Sequence, residues 1–457
     1  LVVSIALKVF NALNRKIFAI IGRAIATKDG DIRQQSFVSH DANTLLYKVL
    51  YFPHKSIFYG DYLYVKDSFY SKEIDSIFYP SNILHIELEN IVLNENQSKY
   101  YRDNDITTVI LPKSEIKTLY NFFIYILGEF GLKKSLLFIR KEPVLFCVFL
   151  LNAIKFLSIK DLIKKNYNAK LALVGYDILF PLTLSLAFES LNIRTVAIQE
   201  RFIATFMSHY PSLIDTYLCN SEFVCKTIEK SNNKFVNNCL PCGQVRSDTL
   251  INYQKNITTK NERFTIVAFD FHSDCDFNNN RLNVLINWRA NASFYKDLCN
   301  LAEGFPQVDI IIRGKNSNWT KIPFFKDVLN KVNAISNIWI DEDYSKLNRQ
   351  YELAGKSDLV IAKYTSIGDE TIALGKRVIY YDYFPNSTHY FASGYFNYNN
   401  CNVYAYSYTQ LKQMVQSILN GSELLTDLEL LELQVITNNT PADGKVKNRV
   451  MENLNNI

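Results

Sequence analysis

The segment 270–276 carries the densest group of chemically active side chains in the chain. It contains three aspartates and a histidine and directly follows the apolar run Phe264–Phe269. A carboxylate at Asp270 or Asp274 could act as a nucleophile or a base, and His272 is a further candidate for catalysis. Clustered aspartates could also bind a hard cation, and a polar loop with Asx turns would use the same residue types.

A second acidic candidate is Glu200, which follows the apolar run Thr195–Ile198 after one glutamine. Glu200 stands next to Arg201. The two residues form either a simple ion pair or an active-site acid whose ionisation the arginine controls.

Arg313 and Lys315 flank a glycine after the apolar run Ile310–Ile312. Two cations at the end of a strand suit a phosphate group. A solvated basic turn is the alternative interpretation.

The segment Thr365–Glu370 has the residue types of an anion-binding helix start. Ser366 could cap a helix, and Asp369 three residues later would complete a pair like a capping box. Gly368 would let a ligand approach the backbone, and Glu370 could accept hydrogen bonds from ribose hydroxyls. Free N–H groups at such a helix start suit a phosphate, although an ordinary capped helix explains the same residues.

Strand and helix patterns alternate along two stretches of the chain, which predicts two parallel sheets with helices on their faces. The predicted strands are 171–175, 195–198, 215–219, 264–269, 308–312, 337–340, 358–362 and 377–381. We therefore predict an α/β protein with two Rossmann-like domains. Ligands of such sheets bind outside the carboxyl ends of the strands, so we expect the four groups above to face one interdomain cleft.

We predict an N-terminal segment 1–30, a first domain 31–255 and a second, nucleotide-binding domain 256–457, divided within the polar stretch 252–262. The segment Leu1–Ala26 is apolar with interspersed basic residues and has no uncharged run long enough to span a bilayer. It predicts an amphipathic helix that serves as a linker or attaches to a membrane surface. No cleavable signal is evident, which predicts a cytoplasmic protein, with the inner face of the cytoplasmic membrane as the open alternative.

The composition fits packed domains and excludes several classes of protein. The 457 residues are 48% hydrophobic with a net charge of +5, which is too weakly basic for a dedicated nucleic-acid binder. Cys239 and Cys242 form a CxxC pair without a second pair or nearby histidines, so we expect structural thiols and no zinc. The motifs of P-loop NTPases, α/β-hydrolases and dinucleotide dehydrogenases are missing.

Three segments together resemble the nucleotide-binding part of bacterial surface-polysaccharide transferases with the GT-B fold. They are 358–362, 365–370 and 373–379, and they follow roughly the pattern S-S-x-G-x-E-A-x-x-x-G-K-x-V. Several enzymes of this kind use cytidine-nucleotide donors. Gly243–Asp248 resembles the G-x-x-R-x-D segment near their domain junction, and 443–449 resembles their C-terminal helix.

Within this group the chain is most similar to the retaining β-Kdo transferases, which move 3-deoxy-manno-octulosonic acid (Kdo) from its CMP conjugate. Asp270 and Asp274 match two aspartates after the first strand of their C-terminal domain, and Glu200 stands where they have an acidic residue. The resemblance implies that Asp274 is a covalent nucleophile and Glu200 its acid/base partner. Arg201 is a departure, because the capsule-linker enzymes of this kind have Asp-Gly after the glutamate.

The resemblance also implies a donor site and the partners of the protein. The implied donor-binding residues are Arg313, Lys315, Tyr364, Thr365, Ser366, Ile367, Gly368 and Glu370. The cytosine would lie near Tyr364 and Tyr381-Asp382. The expected partners are a CMP-sugar and a glycan or glycolipid acceptor in lipopolysaccharide or capsule synthesis, and no cofactor or metal is needed.

Two other functions remain open at this point. A polyol-phosphate transferase of the teichoic-acid type would use a CDP-linked donor and would need a catalytic histidine, for which His272 is the candidate. A module without catalytic activity would position a partner in a polysaccharide assembly complex.

Overall fold

A computed structural model of the chain shows an α/β protein built on two parallel sheets. It describes residues 182–199, 214–230, 236–255, 262–270, 288–344, 349–363, 365–381 and 401–457, together with short stretches between residues 84 and 174. The α/β class and the two Rossmann-like sheets predicted from the sequence are confirmed. The predicted N-terminal segment 1–30 lies outside the described residues.

The strands are β1 Leu84–Glu87, β2 Thr107–Ile110, β3 Leu171–Val174, β4 Arg194–Ile198, β5 Ile214–Cys219, β6 Val236–Pro241, β7 Phe264–Phe269, β8 Val308–Arg313, β9 Ile338–Ile340, β10 Leu359–Ala362, β11 Val378–Tyr381 and β12 Tyr404–Ala405. The helices are α1 Leu182–Ser190, α2 Glu222–Lys230, α3 Val245–Lys255, α4 Trp288–Gly304, α5 Lys326–Ala334, α6 Arg349–Lys356, α7 Ile367–Ala373, α8 Tyr408–Leu419, α9 Asp427–Asn438 and α10 Val446–Asn455. Two 3₁₀ turns, Asn318–Lys321 and Pro323–Phe325, precede α5.

The strand order defines two units. The first unit has the sheet order β3-β4-β5-β6, and the second has β12-β11-β10-β7-β8-β9. Every strand pair is parallel, including the separate pair β1-β2. If β7 to β12 are numbered 1 to 6 and the second sheet is read from β9, its strand order is 3-2-1-4-5-6. This is the order of dinucleotide-binding Rossmann sheets.

Both faces of the first sheet are covered, which explains its nearly continuous apolar strands. Because side chains alternate along a strand, Val196 and Ile198 of β4 pack in one cluster with Val446 and Val450 of α10. Ala197, between them, belongs to the cluster on the opposite face, together with residues of α1 and α2.

Side chains of the second sheet alternate between its two faces in the same way. Ile266 and Ala268 of β7 pack with α4, α5 and α8. Val267 and Phe269 belong to the cluster that contains residues of α6, α7 and α9. This last cluster also contains residues of α1 and α2, so one hydrophobic core connects the two units.

The last two helices hold the units together. Helix α9 begins at a capping box in which Thr426 and Glu429 satisfy each other's backbone N–H groups, and it ends at Asn439 with φ 67°. It packs against α7 of the second unit and α2 of the first. Helix α10 then returns to the first sheet. The predicted domain limits remain predictions, but residues 446–455 of the predicted second domain lie on the first sheet.

No helix among the described residues is long and apolar enough to cross a bilayer.

Candidate functional site

The centre of the candidate site is the carboxyl edge of the second sheet, where β7 neighbours β10. The chain leaves β7 toward β8 and leaves β10 toward β11, which lie on opposite sides of this strand pair. Sheets of this kind form a ligand-binding crevice at such a switch point, and we call this place the crevice. Phe269 and Ala362 are paired at the ends of the two strands. Asp270 and Lys363 therefore follow on adjacent strands, and they are only 4% and 2% exposed.

Lys363 is a candidate site residue that the sequence analysis missed. Its ammonium group donates a hydrogen bond to Oδ1 of Asn291 at 2.5 Å and lies 5.5 Å from the ring centroid of Phe294, both on α4. Burying an ammonium group is costly, so fully buried lysines are rare and concentrate at functional sites. A lysine directly after the fully apolar strand β10 was the signal available in the sequence.

Arg313 is part of a buried ion-pair network. Its Nη1 donates to the carboxylate of Asp341 at 2.5 Å and to the backbone carbonyl of Asp343 at 3.1 Å. Arg349 binds the other oxygen of the same carboxylate through Nε and Nη2 at 3.0 and 2.8 Å. The hydrogen bonding between Arg349 and the Asp341 carboxylate is the main reason why the pKa of Arg349 is raised. Lys315 is exposed and thus more accessible to a donor than Arg313; the donor contacts of both remain predictions.

The glycine between these two cations is required by its neighbours. A Cβ atom at Gly314 would lie 3.0 Å from Nε1 of Trp319 and 3.3 Å from the hydroxyl of Tyr344. Neither of these polar atoms has a hydrogen-bond partner among the described residues. Burial raises the pKa of Tyr344 to about 12, so its hydroxyl is protonated at neutral pH. Trp319, from the segment after β8, and Tyr344, from the loop after β9, therefore place two hydrogen-bond donors beside the backbone of Gly314.

The capping box predicted at the start of α7 is wrong. Ser366 has φ −65° and ψ −14°, and its side chain makes no capping hydrogen bond. A capping serine needs extended backbone angles to turn its oxygen toward the N–H groups of the first turn, and Ser366 is already helical. Thr365 and Ser366 are half-buried and stay accessible at the edge of the crevice.

Asp369, the other predicted member of that box, points to the strand instead. It accepts a hydrogen bond from the hydroxyl of Tyr380 on β11 at 2.6 Å. The same tyrosine explains Gly368, because a Cβ there would lie 2.6 Å from Cε1 of Tyr380. Gly368 lets α7 pack closely on β11, and its predicted ligand contact remains a prediction.

Glu370 links the two units. Its side chain is 3% exposed, and its Oε1 lies 3.8 Å from Nη1 of Arg246 on α3. Ile367, one turn earlier on α7, is also buried. The predicted ribose contact of Glu370 would have to reach a carboxylate that already faces this arginine.

The segment that resembles G-x-x-R-x-D is the junction between the units. Gly243 has φ +101°, a left-handed conformation that favours glycine. Gln244 donates from its side chain to the carbonyl of Thr437 on α9 at 2.8 Å. Asp248 accepts hydrogen bonds from the first two N–H groups of α10 at 3.3 and 3.0 Å. Residues of this motif therefore hold both C-terminal helices in place.

Several predicted site residues lie outside the described part of the chain, namely Glu200, His272, Asp274, Tyr364 and Asp382. The structure does describe residues that shortly precede two of them, Glu200 and Asp274. Gln199, directly before Glu200, is buried and accepts a hydrogen bond from the backbone N–H of Asn220 at 2.8 Å. Asp270, four residues before Asp274, lies at the crevice of the second sheet.

The fold defines the chain as an α/β protein with two Rossmann-like sheets. No family model matches the sequence, and no curated protein matches it. Among solved structures, the UDP-GlcNAc 2-epimerase of Neisseria meningitidis is 12% identical, with 78% of this chain and 93% of that chain covered and a TM-score of 0.47. The UDP-bound MnaA of S. aureus is 11% identical, with 82% and 97% covered and a TM-score of 0.45.

A UDP-forming α,α-trehalose-phosphate synthase from Burkholderia xenovorans is 9% identical, with 84% of this chain and 95% of that chain covered and a TM-score of 0.42. Identities and superpositions at this level assign no activity to the chain.

Proposed function

We propose that the chain is a glycosyltransferase of bacterial surface-polysaccharide synthesis that transfers Kdo from CMP-Kdo with retention of configuration. The observation that carries this proposal is the buried Lys363 beside Asp270, at the switch point of a sheet with Rossmann strand order. Nucleotides bind at such switch points, and an ammonium group suits an anionic donor. The resemblance of the segment 365–370 to cytidine-nucleotide transferases supports the donor class.

The accessible groups around the crevice suggest how the donor is held. Lys315 is exposed, and Thr365 and Ser366 are half-buried, so all three could contact the phosphate or ribose. The carboxylate of Kdo adds a second negative charge, which Lys363 would neutralise. Arg313 contributes indirectly, because its bond to Asp341 fixes the loop after β9.

The proposed chemistry uses two carboxylates. The Asp274 carboxylate attacks the anomeric carbon, the bond from that carbon to the phosphate oxygen breaks, and CMP leaves with the electron pair. The acceptor hydroxyl then loses its proton to Glu200 while its oxygen attacks the same carbon and displaces Asp274. Two inversions give net retention, as in retaining glycosidases. No metal is needed, because fixed cations and hydrogen-bond donors can stabilise the departing phosphate.

The adduct gives a direct test of the nucleophile. We expect intact-mass spectrometry of the protein incubated with CMP-Kdo to show an added Kdo residue. Asp274→Ala should abolish this adduct and lower turnover by about 10³-fold or more, as nucleophile removal does in other enzymes. Asp276→Ala, which removes a carboxylate from the same loop, should keep the adduct. Full turnover by Asp274→Ala would exclude the assignment.

Lys363 gives a test of the donor site. Lys363→Met keeps the length and the apolar stem of the side chain and removes its charge. The buried ammonium group acts on the donor through its charge, so removing it should weaken CMP-Kdo binding about 10- to 100-fold in calorimetry. Lys356→Met, which removes a half-exposed lysine paired with Glu352, should leave binding unchanged. Equal donor affinity in both variants, with both folded by circular dichroism, would contradict the proposed donor site.

A donor screen separates the proposal from its alternatives. CMP-, CDP-, UDP- and GDP-linked donors are compared for binding and for product formation with a glycan acceptor. A glycosidic product from CMP-Kdo supports the proposal. A phosphodiester product from a CDP-polyol supports a polyol-phosphate transferase, and absence of binding to all donors supports a module without catalytic activity.

A further inference from the structure

We propose that Cys219, Cys225 and Cys239 form a binding site for a thiophilic cation, Zn²⁺ or Cu⁺, in the first unit. The three sulfur atoms come from β5, α2 and β6, and all lie within 4.8 Å of one another. The site is independent of the proposed transferase activity, because it lies on the first sheet and uses none of the candidate donor residues.

The strand register explains how the three thiols meet. Cys239 of β6 pairs with Tyr217 of β5, and Cys219 lies two residues further along β5. Residues two apart in a strand point to the same face, so both thiols lie on one side of the sheet. Helix α2 packs on β5 and β6 and brings Cys225 to the same place.

The spacing of the sulfur atoms fits one shared ion. Zinc binds thiolates at about 2.3 Å, so two sulfurs on one ion are at most about 4.6 Å apart and about 3.8 Å apart in a tetrahedral site. Sulfurs within 4.8 Å of one another need to close by at most about 1 Å to reach this geometry. The six described cysteines are all free, so no disulfide competes for these thiols in the structure.

A cation can also reach the site. Cys219 and Cys225 are buried, but Cys239 is partly exposed on β6, the edge strand of the described sheet. The exposed part of the Cys239 side chain gives a cation a way in and a place for a fourth ligand from solvent. Three thiolates are a soft ligand set, which selects Zn²⁺ or Cu⁺ over Mg²⁺ and Ca²⁺.

The CxxC pair does not form this site. Cys242, the second cysteine of that pair, donates to the carbonyl of Leu240 and accepts a hydrogen bond from the side-chain amide of Asn453 on α10. The proposed partners of Cys239 are therefore Cys219 and Cys225, and Cys242 is not one of them. The two additional ligands come from a strand and a helix that precede it in the chain, without any motif spacing.

Thiol protection in the unmodified protein tests the site without relying on a variant that folds. The reduced, metal-free full chain is alkylated with and without one equivalent of Zn²⁺, and in a second arm of Cu⁺ kept reduced. Peptide mass spectrometry should show that the metal slows alkylation of Cys219, Cys225 and Cys239 together and leaves Cys299 and Cys401 unchanged. The arm with the stronger protection identifies the cation. Protection of Cys239 together with Cys242, or of no thiol, would overturn the proposal.

Cadmium titration measures how many ions bind per chain and whether thiolates bind them. Cd²⁺ should produce a thiolate charge-transfer absorbance that saturates at one ion per chain. Cys239→Ser should lose most of this signal and the rise in Tm that the metal causes. Cys299→Ser, on α4 of the second unit, is the matched control and should keep both. A disulfide between two of the three thiols in the protein as purified, with no metal uptake after reduction, would also refute the site.

Discussion

We expect Asp341→Asn to lower the free energy of unfolding by about 3–5 kcal/mol, which is the usual cost of removing one partner of a buried ion pair. The carboxylate of Asp341 is 7% exposed and binds Arg313 and Arg349, one through each oxygen. Asparagine has nearly the same shape but no charge. It would leave the guanidinium of Arg313, itself 9% exposed, buried without its counter-charge.

Urea unfolding measures this effect, and the chain offers a matched control. Asp309 pairs with Arg263 at 3.0 Å, but the two side chains are 22% and 43% exposed. Asp309→Asn should therefore cost at most about 1 kcal/mol, as exposed ion pairs do. We also expect Asp341→Asn to weaken donor binding, because the turns after β8 and β9 lose their common anchor. Equal stability of the two variants would show that the network contributes little to the fold.

The variant Gly368→Ala is expected to destabilise the protein by about 1–3 kcal/mol, the range for overpacked cores. The new methyl group would lie 2.6 Å from Cε1 of Tyr380, which is fully buried and cannot move aside. Alanine favours a helix over glycine by about 1 kcal/mol, so any loss must come from packing. Gly304→Ala is the control, because its nearest neighbour would be Lys412 Cε at an ordinary 3.7 Å.

A second substitution tests the reason for this effect. Tyr380→Val removes the ring that causes the clash, although it also loses the hydrogen bond to Asp369. The double variant should therefore be more stable than the sum of the single effects predicts, and thermal unfolding of the four proteins gives the coupling energy. Strict additivity would mean that Gly368 is needed for another reason.

The strands that the sequence predicts well are those buried on both faces. β7, β8 and β10 are nearly continuous apolar runs, since helices cover both sides of the sheet. β6 was not predicted, because as an edge strand it reads Val-Asn-Asn-Cys-Leu-Pro and is mostly exposed or half-buried. Helix α9 was not predicted either, because it packs on α2 and α7 and carries apolar residues on most of its surface.

The sequence likewise predicted one part of the candidate site and missed another. The rule that ligands bind at strand ends located Asp270 and the segment 365–370 from the sequence. Lys363 was missed because its burial depends on α4, which follows another strand. The bond between Arg313 and Asp341 joins residues 28 positions apart, and no local pattern records it. The capping error at Ser366 arose because the residue types of a capping box do not fix the backbone angles.

The return of α10 to the first sheet has a consequence for how the protein is synthesised. Val446 and Val450 cover Val196 and Ile198, so these two residues of the first sheet lack that cover until α10 has left the ribosome. Domains usually fold one after another during translation, the N-terminal one first. Here we expect the first unit to remain partly open and prone to aggregation until the second unit has been synthesised. Docking of α10 on the first sheet would then be the step that commits both units to the folded state.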